Sequence, residues 1–267
     1  MIANTDHPAT YSAEVLPYIS HLMDRAAASG PSLFGPPRVL DVFGGSGVKL
    51  HDLADAAGVE SWATELEPEW AANHPRNIVA DATRLPFADE SFDLVATSPC
   101  YGNRMADDHE AKDPCKTCAG TGKRAGDDDL PPTDANTCPV CKGSGLSRRH
   151  TYRHRLGRPA SKGTATNLRY VAGPRGNRYR RLHVAAWAEV HRVLRPYAPF
   201  LLNVSNYLET VDGSLVEHRV MEWHLDHLLR HGFALDALIP ISTRRQRQGA
   251  NGDTRPDHEF VILLHKR

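Results

Sequence analysis

The run Arg-Val-Leu-Asp-Val-Phe-Gly-Gly-Ser-Gly, residues 38–47, limits most strongly what this chain can become. A short apolar segment of strand type meets Gly44, Gly45 and Gly47, and VKLHDLADAAG follows with helical spacing. Glycines let the backbone approach a ligand closely, and the helix offers unpaired N–H groups at its start. Strand, glycine turn and helix open a doubly wound α/β unit.

The alternation continues. SWATELEP reads as a second strand, EPEWAANH as a helix, NIVADA as a third strand and FDLVATSP as a fourth. Ahead of them, Val15, Leu16, Ile19, Leu22 and Met23 fall at helical spacing within residues 12–29. After residue 100 the pattern stops for about eighty polar, glycine-rich residues, too long for a structureless loop in a compact domain and therefore an inserted module. It resumes with RLHVAAWAEVHRVLRP as a helix, PFLLNVSN as a strand and SLVEHRVMEWHLDHLLRHG as one long helix. FALDALIPI and HEFVILLHK close the chain as two strands. The expected organisation is a core of residues 1–104 and 182–267 with an insert of residues 105–181. A length of 267 residues with 40% hydrophobic content suits one core plus a module.

Four of the five cysteines form a repeat of period 23, Cys115-Lys-Thr-Cys118-Ala-Gly-Thr-Gly and Cys138-Pro-Val-Cys141-Lys-Gly-Ser-Gly. Each CxxC presents two thiolates from one tight turn, and two such turns complete a tetrahedral four-sulfur site for zinc. A closed site has no open position for substrate, so the metal's expected role is structural. A redox dithiol is the alternative reading. No apolar run reaches the ~18 residues a membrane crossing needs. MIANTDHPATYS lacks the basic and apolar parts of a signal peptide, so the expectation is a cytoplasmic protein without a membrane partner.

The zero net charge conceals an asymmetry: residues 1–100 carry 14 Asp/Glu against 5 Lys/Arg, while residues 148–181 carry 11 Lys/Arg and no acid. Arg148, Arg149, Arg153, Arg155, Arg178, Arg180 and Arg181 are interleaved with Tyr152, Tyr170, Tyr179, His150 and His154, a pattern suited to a polyanion. With Arg104 they are the candidate nucleic-acid contacts. A solvated basic loop is the plainer alternative.

DVFGGSG, TELEPE, ADA and TSPCY, in that order, resemble the successive motifs of class I S-adenosylmethionine-dependent methyltransferases over residues 1–100 and 182–267. The D-x-F-x-G-S-G form with an S-P-x-Y loop is similar to the DNA amino-methyltransferases, which modify cytosine N4 or adenine N6. The resemblance implies a doubly wound Rossmann-like methyltransferase sheet, with the zinc-binding basic lobe inserted after the fourth strand. It implies S-adenosylmethionine as cofactor, held by Tyr11 of HPATYS, Asp41, Phe43, Gly44, Gly45, Gly47, Glu65, Asp81, Ala82 and Ser98. A carboxylate such as Glu65 at the end of a second strand can accept both ribose hydroxyls, and Asp81 is placed for an adenine amine. That Asp41 and Asp81 merely cap helices is the plainer reading.

An exocyclic base amine is a poor nucleophile, its lone pair delocalised into the ring. The resemblance assigns Ser98 and the Pro99 carbonyl as acceptors that draw the pair back, and Tyr101 as a stacking partner for a base swung out of the duplex. The implied partner is DNA, with a companion restriction endonuclease as a candidate; oligomeric state is left open. CxxCxGxG also resembles the zinc module of J-domain chaperones, with two repeats here and no J-domain.

Three rivals stand beside this reading. Cys100 replaces the usual second proline and permits cytosine-C5 chemistry through its thiolate. Leu202-Asn203-Val204 and Thr243–Gln248 are faintly similar to that family's motifs, but Leu202 stands where the required glutamate belongs. An RNA or tRNA base is the second rival target. A zinc-dependent nucleic-acid-binding protein on an inactive methyltransferase fold is the third. His218, His224, His227 and His231 share one predicted helix and receive no function.

Overall fold

A computed structural model describes residues 11–30, 35–99, 112–124, 133, 135–148, 178–242 and 256–267. Helix α1 (Leu16–Ala28) precedes strand β1 (Arg38–Asp41), and α2 (Val48–Ala57) follows the glycine turn. Next come β2 (Glu60–Glu65), the single turn α3 (Pro68–Ala71), β3 (Asn77–Val79) and β4 (Leu94–Thr97). The insert after β4 contributes β5 (Lys112–Pro114) and β6 (Leu146–Arg148). The core resumes with α4 (Arg178–Val193), β7 (Pro199–Val204), β8 (Tyr207–Val211) and β9 (Ser214–His218). It ends with α5 (Val220–Arg230), β10 (Phe233–Ser242) and β11 (His258–Lys266).

Seven strands form one sheet in the order β3-β2-β1-β4-β7-β11-β10. The pairs β1–β2, β2–β3, β1–β4 and β4–β7 are parallel, whereas β11 runs antiparallel to β7 and β10. Such a mixed sheet, wound from its centre outward, is a Rossmann-like methyltransferase α/β fold, as the sequence leads one to expect.

Both faces of the sheet are covered, which explains why the central strands read as continuous apolar runs. On one face Leu40, Val95, Phe200 and Leu202 pack with Trp187, Val190, Met221 and Leu228 of α4 and α5. On the other, Val39, Leu94, Ala96 and Leu201 pack with Ile19, Met23, Leu50 and Ala54 of α1 and α2.

The single long helix expected over residues 214–232 is corrected. Its first five residues are strand β9, paired with β8, and helix begins only at Val220. Asp212 and Gly213 sit at φ 50° and 80°, and Val211 pairs with Ser214 across them. A two-residue Asp-Gly loop with both residues left-handed is the turn that matches strand twist, so local turn chemistry overrides the helical spacing of Leu215, Val216 and His218.

Candidate active site and cysteine cluster

Helix α4 runs against the strands. Near its end, the Val193 carbonyl accepts from the Ser91 and Phe92 amides, at the entry to β4. Nearer its start, His183 and Trp187 meet Phe43, just beyond the exit of β1, with ring centroids 5.7 and 6.1 Å away. The first turn of α4 therefore lies at the carboxyl edge of the sheet. In open α/β sheets that edge is where ligands bind.

Asp41 ends β1 and is buried. Its Oδ1 accepts from the Phe43 amide at 2.9 Å and the Thr97 hydroxyl at 2.6 Å, and its Oδ2 accepts from the Tyr11 hydroxyl at 2.6 Å. The Tyr11 hydroxyl also lies 2.8 Å from the Ala96 carbonyl. One carboxylate thus ties the N-terminal segment, the glycine turn and β4 together. Burial pushes its pKa above the usual carboxylate range, against the opposing effect of the Thr97, Tyr11 and Phe43 hydrogen bonds.

The glycine turn is fixed from below. The Gly44 amide donates to the Thr64 carbonyl at 2.9 Å, and a Cβ at Gly44 would fall 2.6 Å from the Ala63 Cβ. Gly45 and Gly47 have φ 57° and 68°, a region that favours glycine. A Cβ at Gly47 would also lie 2.3 Å from Asn77 Oδ1. Asn77 donates to the Ser46 carbonyl at 2.8 Å, so its Oδ1 accepts from His51 Nε2 at 2.9 Å. His51 Nδ1 then accepts from the Ser61 hydroxyl. Burial holds this imidazole neutral, with its pKa lowered to about 4.

Among the remaining expected cofactor residues, Glu65 is buried at the end of β2, its Oε1 accepting from the Glu67 amide at 2.9 Å. Asp81 is exposed just past β3, and its carboxylate accepts from the Thr83 amide and hydroxyl, both on Oδ1. Ala82 packs in the core. Ser98 and Pro99 follow β4, Pro99 buried and Ser98 donating to Asn203 Oδ1 at 3.1 Å. Tyr101, Cys100 and Arg104 lie outside the described residues, as do Arg149, Arg153, Arg155 and the segment Thr243–Gln248. Arg148 ends β6. Arg178 and Arg181 are exposed in the first turn of α4, and the Arg180 guanidinium lies 5.4 Å from the Trp223 ring centroid. Leu202 is fully buried in the apolar face, so no carboxylate stands at that position for cytosine-C5 chemistry.

Sequence reasoning missed an aromatic and histidine cluster at this edge. Trp187 Nε1 donates to His224 Nδ1 at 3.0 Å, which leaves His224 Nε2 to donate to the Tyr179 hydroxyl at 2.7 Å. His224 is thereby a neutral core residue, its pKa driven well down by burial and by His183 and His227. His183 Nδ1 donates to the Tyr179 carbonyl at 2.8 Å, so Nε2 carries the lone pair, and it is buried without a partner. An orphan acceptor costs about 1–3 kcal/mol. Its place beside Phe43 fits a ligand that brings a donor.

The residues present would fit S-adenosylmethionine, the cofactor that the sequence resemblance implies. The first turn of α2 has no side-chain cap, so its amides face the glycine turn uncommitted to a side chain. A fixed carboxylate at the end of β2 and a second past β3 supply acceptors for hydroxyls and an amine.

In the insert, the two repeats fold alike. The Cys115 amide donates to the Gly145 carbonyl at 2.8 Å and the Cys138 amide to the Gly122 carbonyl at 2.9 Å. Thr121 and Ser144 hydroxyls close the two turns on the Cys118 and Cys141 carbonyls at 2.8 and 2.7 Å. Cβ atoms at Gly122 and Gly145 would lie 2.4 and 2.3 Å from the opposing Gly143 and Gly120 carbonyl oxygens. This near two-fold arrangement buries all four cysteines with their sulfurs within 4.8 Å of one another. The Cys115–Cys138 and Cys118–Cys141 sulfur separations are 3.9 and 3.6 Å. Zn–S bonds of about 2.3 Å in a tetrahedron give edges near that length, so the cluster is consistent with zinc.

The strand order and the position of the site at the carboxyl edge are those of a Rossmann-like methyltransferase α/β fold. A methyltransferase-domain family profile matches residues 40–110, from β1 through the loop after β4. Demethylmenaquinone methyltransferase of Mycobacterium sp. (strain KMS) is 42% identical over 78 residues, 28% of this chain and 33% of that protein. The namesake from Beutenbergia cavernae is 42% identical over 67 residues, 23% of this chain and 28% of that protein. This chain thus matches about a third of the length of these curated relatives. Among solved structures, the PH0226 protein of Pyrococcus horikoshii OT3 aligns over 100% of this chain and 97% of its own, at 11% identity and TM-score 0.47.

Proposed function

We propose that this chain transfers a methyl group from S-adenosylmethionine to an exocyclic amino group of a base in DNA, cytosine N4 or adenine N6. The observation that carries the reading is the position of Ser98-Pro99 at the exit of β4, between the Asp41-anchored glycine turn and Asn203. Bound S-adenosylmethionine supplies an electrophilic methyl on a sulfonium. Tyr11, Phe43, Gly44, Gly45, Gly47, Glu65, Asp81 and Ala82 form its proposed cradle. Ser98 and the Pro99 carbonyl accept from the amine and concentrate its lone pair on nitrogen, while Tyr101 stacks on the base. Holding two reactants in line supplies much of the acceleration, so a strong general base is not needed.

Arg178, Arg180 and Arg181 occupy the first turn of α4 with no acid among them, where the helix dipole is already positive. Phosphate oxygens would offset that charge. Arg104, Arg148, Arg149, Arg153 and Arg155 complete the proposed DNA-facing surface, and zinc in the cysteine cluster orders the insert that carries most of them. A companion restriction endonuclease follows from the sequence resemblance alone.

A second reading, methylation of a small demethylmenaquinone-like acceptor, is favoured by the names of the curated relatives. Those matches span 28% and 23% of this chain, and the methyltransferase-domain profile ends at residue 110, before α4. Substitution separates the chemistries: Ser98→Ala should lower turnover on DNA by about 100- to 1,000-fold, on the scale of losing one transition-state hydrogen bond, with cofactor affinity retained. Cys100→Ala should leave turnover intact. Unchanged turnover in Ser98→Ala would remove the amine reading, and an inactive Cys100→Ala would favour C5 chemistry.

A further inference from the structure

We infer that Asn203 and Glu259 set the direction of the Ser98 hydroxyl, so that Ser98 meets the substrate as a hydrogen-bond acceptor and selects a target atom that carries a proton. This rests on the amine reading above and names the device that enforces it.

Three strands supply the parts. Strand β4 lies between β1 and β7, and β11 lies beyond β7. Asn203 is buried on β7, and Glu259 is buried near the start of β11. Asn203 Nδ2 donates to Glu259 Oε2 at 3.1 Å and to the Phe260 carbonyl at 3.3 Å. Both partners are acceptors. A flipped amide would turn its oxygen onto two oxygens, so the orientation is determined by the network.

Asn203 Oδ1 therefore faces Ser98 Oγ at 3.1 Å, and an amide oxygen can only accept. The single hydroxyl proton of Ser98 is directed at Asn203. A substrate group brought to the hydroxyl in this orientation meets a lone pair of its oxygen. An amine N–H satisfies that demand, whereas a carbonyl or an ionised oxygen does not. The neighbouring Thr97 hydroxyl is likewise directed into the sheet, toward Asp41 on the other side. Consecutive hydroxyls thus send their protons inward to β1 and β7. Burying a carboxylate at Glu259 is costly unless it is hydrogen-bonded, and its bond to Asn203 gives that burial a role. Asn203 and Glu259 are positioning residues in this account.

The test is a double-substitution cycle read alongside the hydroxyl proton itself. Asn203→Leu should lower kcat by about 100-fold, the scale of a small misplacement of a reacting group, with KM and cofactor affinity unchanged. Glu259→Leu should bring a similar loss, whereas Glu259→Gln should keep activity, because its amide oxygen still accepts from Asn203. In a Ser98→Ala background, Asn203→Leu should add no further loss. NMR of the folded protein should show a slowly exchanging Ser98 hydroxyl proton close to the Asn203 side chain, absent in Asn203→Leu. Losses that multiply in the double variant, or a freely exchanging hydroxyl unaffected by Asn203→Leu, overturn the inference. A protected proton together with a fully active Ser98→Ala leaves the hydroxyl direction standing and overturns the amine reading instead.

Discussion

The sheet and the cysteine insert are held together by opposite means. The sheet buries two apolar layers with Trp187, Phe200, Leu40 and Ile19 among the largest fully enclosed side chains. In the insert, the cluster of buried residues consists of Cys115, Cys118, Cys138 and Cys141 alone among the described residues. The first region folds by removing hydrocarbon from water. The second, among the described residues, buries four sulfurs between glycine turns, so we expect its order to depend on a bound metal.

Metal removal should separate the two regions most widely. Structural zinc contributes about 10–16 kcal/mol in small metal-folded modules, so chelation, or Cys118→Ser, should unfold the insert while the cofactor still binds the sheet. Proteolysis confined to residues 105–181, with unchanged cofactor binding, is the expected readout; simultaneous collapse of both regions would break the contrast.

Acid should reach the sheet as well, through its buried imidazoles. Burial lowers the pKa of His51, His183 and His227 to about 4, and of His224 well below its ordinary 6.5. Between about pH 6.5 and 4 the unfolded chain binds protons that the folded sheet refuses, so stability falls as pH drops through that window and is constant from these groups above it. Asp41, with its raised pKa, acts with the opposite sign. A Tm that declines from pH 7 to pH 5 is expected, and a flat profile would contradict buried neutral imidazoles.

Smaller effects sharpen the comparison. Trp187→Ala should cost about 3–5 kcal/mol of core stability without loss of zinc, measured by chemical denaturation and metal content. Gly213→Ala, in the left-handed Asp212-Gly213 turn, should cost only about 1 kcal/mol and leave both regions intact.

Much of this was legible in the residues because it is local. The glycine turn, the S-P loop after β4 and the paired CxxCxGxG turns are each defined within a few positions, and each falls where spacing places it. The β8–β9 hairpin was equally local, but the apolar residues after Asp212-Gly213 mimic the start of α5. What spacing does not carry is contact between distant strands. Tyr11 with Asp41, His183 with Phe43, and Asn203 with Glu259 are brought together only by the sheet. A single hint existed in the last case: Glu259 is the one acid of β11 and directly precedes its apolar run Phe260–Leu264.

The most direct measurement of the central claim supplies the purified chain with S-adenosylmethionine labelled in its methyl group, together with duplex DNA, RNA or a demethylated quinone. The products are then digested and separated as nucleosides. The account predicts label in N4-methylcytosine or N6-methyladenine from DNA, lost in Ser98→Ala. Label confined to RNA or the quinone, or found in 5-methylcytosine, would contradict it.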